Sequence, residues 1–197
     1  MAIETLQLEH LPASHKVHVA MFRDVTNASF LHQQLLARNA EFEYAFIDAS
    51  VLLSRLQLLS AIFKATTAAV NQALKTPNVH SEIVAYMSAS NNIADAYRRY
   101  GISPGTKDLI VVRVTFPTEA APEPQTGDAV WAHLAGAVEG RAVPVSDDNI
   151  AKAADLTKIR KYYKLNGLNW LDSQKDDEKK RKEMEMIILS GMALRGV

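Results

Sequence analysis

The chain has no cysteine among its 197 residues. That absence removes disulfides, thiol nucleophiles and thiolate zinc sites together, and leans the protein toward a reducing compartment. Net charge is missing too, since Lys+Arg and Asp+Glu are both 22. A zero balance gives no long-range pull toward nucleic acid or an anionic membrane, although it leaves room for a local basic patch. No apolar run approaches the ~18–20 residues needed to cross a bilayer, so no membrane partner is expected. The opening MAIETLQLEHL lacks a basic stretch followed by an apolar one, and no secretory leader is expected. Asn27-Ala28-Ser29 fits a glycosylation acceptor but carries no meaning without secretion. With 48 % apolar and 22 % charged residues, the composition is that of a soluble globular protein, read as one domain over 1–197.

Motifs of chemistry are equally scarce. His10, His15, His18, His32, His80 and His133 are scattered, none stands four residues from another, and no H-E-x-x-H occurs. His15 and His18 are expected on opposite faces of one strand. There is no nucleophile elbow and no dinucleotide fingerprint. Gly105-Thr106-Lys107 lacks the glycine spacing of a phosphate loop and precedes a strand, so it reads as a turn. Asp147-Asp148 reads as a helix cap. No catalytic residue, metal or cofactor is nominated.

What the chain does have is an organising stretch, Ser88–Val114. The apolar run Glu82–Met87 is expected as a buried strand. Asn91 or Asn92 then caps a helix whose Ile93, Ala96, Tyr97 and Tyr100 make one stripe. Gly101 is expected to end that helix in a left-handed conformation. Leu109–Val114 is β-branched and reads as a strand covered on both faces.

Around this unit, His15–Val25 alternates Val17, Val19 and Met21 on one face and reads as a first strand. Asn27 caps a helix carrying Phe30, Leu31, Leu35 and Leu36. Tyr44–Ile47 is a short strand ending at Asp48. Asp48 or Ser50 is expected to cap a long alanine-rich helix to about Leu74, stopped by Pro77. Residues 118–128 read as an exposed loop. Ala129–Val138 reads as a helix, Arg141–Val145 as extended, and Ser146-Asp147-Asp148 as the cap of a helix to Leu165. The expected class is α/β: a small mixed sheet of about four strands surrounded by helices, with a C-terminal helical part.

That C-terminal part, 173–197, divides in two. Gln174–Glu183 is nearly all charged, with Asp176/Lys180, Asp177/Arg181 and Glu178/Lys182 as acid-to-base pairs four apart, capped by Ser173. In the second half, Met184, Ile187, Ile188, Met192 and Val197 form an apolar stripe, with Gly191 permitting close contact. This stripe either docks on the chain's own core or offers a face to a partner helix or sheet.

Four segments, with the opening Val19–Asn27 beside them, carry a resemblance. Ser88-Ala89-Ser90-Asn91-Asn92-Ile93 with Ala96 and Tyr100-Gly101-Ile102 is similar to S-P-x-x-N-I-x-x-A-x-x-x-F-G-I. Ile159-Arg160-Lys161-Tyr162-Tyr163-Lys164-Leu165 is similar to I-R/K-K-I-Y-K-L. Phe46-Ile47-Asp48, followed by Gln57, Ala61 and Lys64, fits a short strand before a long helix. Leu194-Arg195-Gly196-Val197 resembles a fungal ending, and Val19–Asn27 a shared opening. In order and spacing these resemble the TPRKB family, kinase-binding accessory subunits of the KEOPS (EKC) complex. Ala89 replaces the family's proline, and Leu74–Val79 holds one basic residue where the family has a basic run. Residues 118–128 and 174–183 look like insertions.

The resemblance implies a non-catalytic subunit that binds the small atypical kinase (PRPK in animals) and supports its ATPase activity. It also implies help in recruiting tRNA for threonylcarbamoyl-adenosine modification of ANN-decoding tRNAs, indirect contact with the other KEOPS subunits, nuclear and cytoplasmic location, and a link to telomere maintenance. Kinase contacts would then come from Met184, Ile187, Ile188, Gly191, Met192, Leu194 and Arg195. Phosphate contacts would come from Lys64, Arg98, Arg99, Arg160, Lys161 and Lys164. Two other classes stay open: a small-molecule enzyme whose site gathers His80, His133 and a carboxylate across the fold, and a stand-alone nucleic-acid-binding module.

Overall fold

The computed structural model describes residues 3–119 and 121–195. In chain order the elements are β1 (Ile3–Leu6), β2 (Lys16–Arg23), α1 (Ala28–Leu36), β3 (Ala45–Asp48), α2 (Arg55–Val70), α3 (Val79–Tyr86), α4 (Ile93–Tyr100), β4 (Leu109–Thr115), α5 (Gly127–Ala137), β5 (Arg141–Val143), α6 (Asp147–Ala153), α7 (Leu156–Tyr162), α8 (Asn169–Asp172) and α9 (Asp177–Ala193). The five strands form an open sheet in the order β1-β2-β4-β3, with β5 pairing the far end of β2. Each of its pairings is antiparallel. The α/β class and the C-terminal helical part are as the sequence indicates. The sheet itself is antiparallel where a mixed one was expected, because no helix crosses between neighbouring parallel strands.

The sheet is covered on both faces. Val17, Val19 and Met21 of β2, with Ile110, Val112 and Val114 of β4, join a large core beneath α2, α3, α4 and the C-terminal helices. Ala20, Phe22, Leu109 and Val111 point the other way, into a smaller core under α1 and α5. This is the period-2 alternation of a strand, apolar at both phases because both sides are packed.

Several local expectations change. Glu82–Met87 is helical: α3 starts at an N-cap Asn78, whose side chain accepts from the Ser81 N–H at 2.8 Å. Residues 82–87 are all buried. A helix apolar on every side has no 3.6-residue period to betray it, and its short apolar run reads as a buried strand. Asp48 caps only a 3₁₀ turn, Ala49–Val51, and Ser54 caps α2, accepting from the Gln57 N–H at 3.2 Å. That helix ends at Val70, well before Pro77. Asn27 sits at the cap position of α1, but its side chain ties the end of α5 instead, donating to the Ala137 carbonyl and accepting from the Glu139 N–H. The loop before α5 ends at Thr126, which caps the helix; the stretch to Leu165 breaks into α6 and α7; Asp176, not Ser173, caps α9.

Asn92 caps α4 as expected, accepting from the Asp95 N–H at 3.0 Å. Gly101 is not left-handed. Its backbone is extended, φ −75°, and it bridges to Ile47 of β3. Glycine is needed there for another reason: a Cβ would lie 2.7 Å from the Tyr97 carbonyl oxygen.

Candidate functional site

The C-terminal helix decides which face can meet a partner. Of the stripe nominated from sequence, Met184, Ile188 and Met192 lie inside the large core, Ile188 being only 1 % exposed, and Ile187 packs against it. Gly191 makes its close contact within the chain: a Cβ there would meet Ala89 at 3.1 Å. Val197, the last member of that stripe, lies outside the described residues, as does Gly196 of the C-terminal match. The stripe is therefore the inner face of α9. Two residues along a helix is a rotation of about 200°, and the solvent face is accordingly the one carrying Met186, 63 % exposed, with Leu189, Ala193 and then Leu194.

That outer face borders a groove of about 700 Å³ between α9, α2 and the β1–β2 turn. Leu56, Leu59, Phe63 and Lys64 of α2, Leu189 and Ala193 of α9, and Leu8 and His10 of the turn line it. Leu56 and Phe63 expose apolar rings and methyls to water. One helix turn of α2 after another supplies these groups, at spacings of three and four, so the stripe is continuous. Leu58, Ile62 and Ala65 are buried on the other side of α2.

The cations fare differently from one another. Lys64 donates to the Met192, Ala193 and Arg195 carbonyls at 3.0, 3.0 and 2.8 Å. It thereby satisfies the free carbonyls at the end of α9 and meets the negative end of its dipole. Its ammonium also stands 4.9 Å from the centre of the Tyr86 ring, and the Arg195 guanidinium 5.1 Å from the same ring. Burial first, and then Arg195 and Lys75 nearby, lower the Lys64 pKa from its ordinary value. Arg195 is buried, which also lowers its pKa, and its Nη1 makes no hydrogen bond among the described residues. Lys64 is thus committed to its own chain, and Arg195 is no free docking residue.

Arg98 and Arg99 both pair with Asp95, Arg99 at 2.7 Å. Arg99 also lies over the Tyr162 ring. Arg160 staples the α7–α8 corner through the Leu165 carbonyl, Asn166 and Asp172. Lys161 and Lys164 are exposed and take part in no ion pair or side-chain hydrogen bond among the described residues. In the charged block, Glu178 pairs with Lys182 at 2.7 Å as expected, while Arg181 turns back to the Leu53 carbonyl.

His80 and His133 do not form one site. His80 is buried, and its Nε2 accepts from the Val114 N–H at 3.0 Å, just beyond the end of β3. Its Nδ1 faces Glu43 at 3.6 Å. Burial lowers its pKa, against the raising effect of Glu43 and with the lowering effect of Arg113. His133 instead lines an open cleft on the other face of the sheet and bonds the Tyr44 hydroxyl at 2.8 Å. Among the described residues no group of three or more His, Asp or Glu could hold a metal ion.

A sheet clothed by helices, with an apolar groove on an outer helix face and its buried histidine occupied in the backbone, defines a binding module. Compared with known families, residues 22–196 match the model of the kinase binding protein CGI-121. Over 197 residues, the whole of both chains, the sequence is 69 % identical to a Gibberella zeae protein named EKC/KEOPS complex subunit CGI121. A Neurospora crassa protein of the same name is 46 % identical over the full length of both. A Schizosaccharomyces pombe counterpart is 30 % identical over 92 % of this chain and 94 % of its own. The chain belongs to the CGI-121 family of kinase binding proteins.

Proposed function

We infer that the protein is a non-catalytic subunit of a KEOPS complex that grips the small atypical kinase through the groove between α2 and α9. The observation carrying this is that groove: continuous, largely apolar and solvent-facing, lined by Leu56, Leu59 and Phe63 of α2 and by Leu189 and Ala193 of α9, with the exposed Met186 three residues before Leu189 on the same helix face. An apolar face of this kind, on the outer side of two packed helices, suits a partner helix or sheet. The bound kinase is then held in a form with higher ATPase activity, and the assembly serves threonylcarbamoyl-adenosine formation on ANN-decoding tRNAs. On this reading the protein works in the nucleus and cytoplasm and has a link to telomere maintenance.

The test uses the full chain co-expressed with the kinase. Phe63→Glu and Met186→Glu should leave unfolding unchanged and abolish co-purification, because each would desolvate a carboxylate against an apolar surface. Full kinase retention by both variants would overturn the groove as the interface. Loss of binding in step with loss of folding would do the same.

A tRNA contribution would now rest on Lys161 and Lys164 of the α7–α8 corner, with Arg98, whose side chain is 72 % exposed despite its bond to Asp95. Phosphate contacts release counterions, so Lys161→Ala/Lys164→Ala should lower the slope of log affinity against log salt by about 2. An unchanged slope would remove this corner from the tRNA path.

A further inference from the structure

On the side of the sheet away from α9, α1 and α5 frame a second cleft, of about 760 Å³. Its floor is aromatic. Phe30 is 43 % exposed and meets Phe42 edge-on with ring centres 5.6 Å apart. Phe42 meets the His133 ring edge-on at 5.0 Å, and His133 stacks on Tyr44 at 5.7 Å. Tyr44 fixes His133 by their hydrogen bond, so the rings form one braced row. The opposite wall is made of small residues, Ala132 and Gly136 one turn apart on α5, and a Cβ on Gly136 would meet nothing.

The rim is acidic. Glu41 and Glu139 line the cleft, and no lysine or arginine does. Both are exposed, and neither takes part in an ion pair among the described residues. Among the described residues the Glu139 carboxylate accepts only from the Thr26 hydroxyl, at 3.0 Å.

We propose that this cleft receives an arginine side chain from an extended segment of a partner protein. A purely apolar occupant would strip water from two unpaired carboxylates, which is costly. A phosphate backbone would meet like charge. A cation is drawn both to the carboxylates and to the negative faces of the rings. Arginine suits the site better than lysine, because its planar guanidinium stacks on a ring and presents a fork of donors to a carboxylate at the same time. The site lies across the sheet from the α2–α9 groove, so an occupant here would not compete for that groove, on the reading of it proposed above.

The experiment is a titration of the isotope-labelled full chain with the capped peptide Ala-Arg-Ala, followed by NMR. The ring signals of Phe30, Phe42 and His133 should shift saturably at millimolar peptide or below. The same peptide with citrulline, a neutral isostere of arginine, should bind at least tenfold more weakly. Phe30→Ala should abolish the saturable shifts, and Glu41→Gln and Glu139→Gln should each weaken binding and reduce its salt dependence. Should Phe30→Ala fold poorly, the exposed Glu41→Gln change carries the test. Equal binding of the citrulline peptide, or shifts that never saturate, would overturn the proposal. Kinase co-purification should be unaffected by Glu41→Gln.

Discussion

The two faces of the sheet are held by different sets of polar bonds. The large face is pinned by buried polar bonds between distant segments. Tyr163 of the α7 end accepts from Gln57 of α2 at 2.7 Å and donates to the Met87 carbonyl after α3. Gln57 in turn accepts from the Leu53 N–H at 2.8 Å. Burial pushes the Tyr163 hydroxyl well above its ordinary pKa and that of neighbouring Tyr100 up to about 12, so both stay neutral and Tyr163 keeps the proton it donates. The small face has two helices and a row of rings opening on water; its polar ties are Tyr44 to His133, His18 to Thr5 and Thr115 at the edge under α5, and Asn27 to the end of α5. Buried polar bonds are costly to break and fix a single arrangement. Both faces are tied in this way, and they differ in what they leave open: a groove between α2 and α9 on the large face, and a cleft between α1 and α5 on the small one.

That contrast can be broken most severely at α9. Ile188→Glu places an unpaired carboxylate in the large core at a cost of several kcal/mol, comparable to the stability of a whole domain. It should fail to give a cooperative thermal transition, whereas Met186→Glu, two residues away, should melt like the parent. Tyr163→Phe should cost about 1–3 kcal/mol in chemical denaturation, since it orphans Gln57 and the Met87 carbonyl together. The matched change on the small face, Tyr44→Phe, should cost about 1 kcal/mol or less, because water can reach its partner His133. Equal losses at the two tyrosines would erase the distinction between the faces.

His80 gives the contrast a pH signature. Burial holds it neutral in the folded protein below its ordinary value of 6.5. As pH falls through 6.5 the unfolded chain takes up the proton first, so stability is full above that value and declines below it. Glu43, on its Nδ1 side, moderates the loss, and Arg113 adds to it. His80→Leu should remove the decline that sets in just below pH 6.5, leaving the carboxylates to govern the slope at lower pH, at a cost of about 1–3 kcal/mol at neutral pH for the unpaired Val114 N–H. A similarly small and more local effect is expected at Lys64→Ala. Losing a cation from the end of α9 should cost about 1 kcal/mol and raise hydrogen exchange of the last turn alone.

Much of this was legible in the residues themselves. The strands β2 and β4 announce themselves by apolar alternation, and Asn92 with its apolar stripe marks α4 within one residue. The order of the four resembling segments pointed to the family over nearly the whole chain. Helix α3 was misread because its buried sides erase periodicity; Pro77-Asn78 ahead of it was the available signal, a stop followed by a good cap. On α9 the sequence shows apolar residues at Met184, Met186, Ile187, Ile188 and Leu189, on almost every side, so it could not say which side faces inward. Lys64 looked like a surface cation because nothing local reveals that its ammonium ends on carbonyls more than a hundred residues away. Polar pairs between distant segments leave no spacing to read, and they are what decide both faces here.

The extended Gly101 has one more effect, on how the molecule can be joined to others. By bridging to Ile47, and with the Ile102 N–H donating to the Phe46 carbonyl at 3.0 Å, it occupies the outer side of β3. A foreign strand finds few free partners there. At the opposite margin β1 and β5 share β2 end to end, four and three residues long, too short to template much. Growth of the sheet by strand addition is disfavoured at both margins, so neighbours must be met through helix faces and clefts, and chains crowded together in a cell have little purchase for fibrous association.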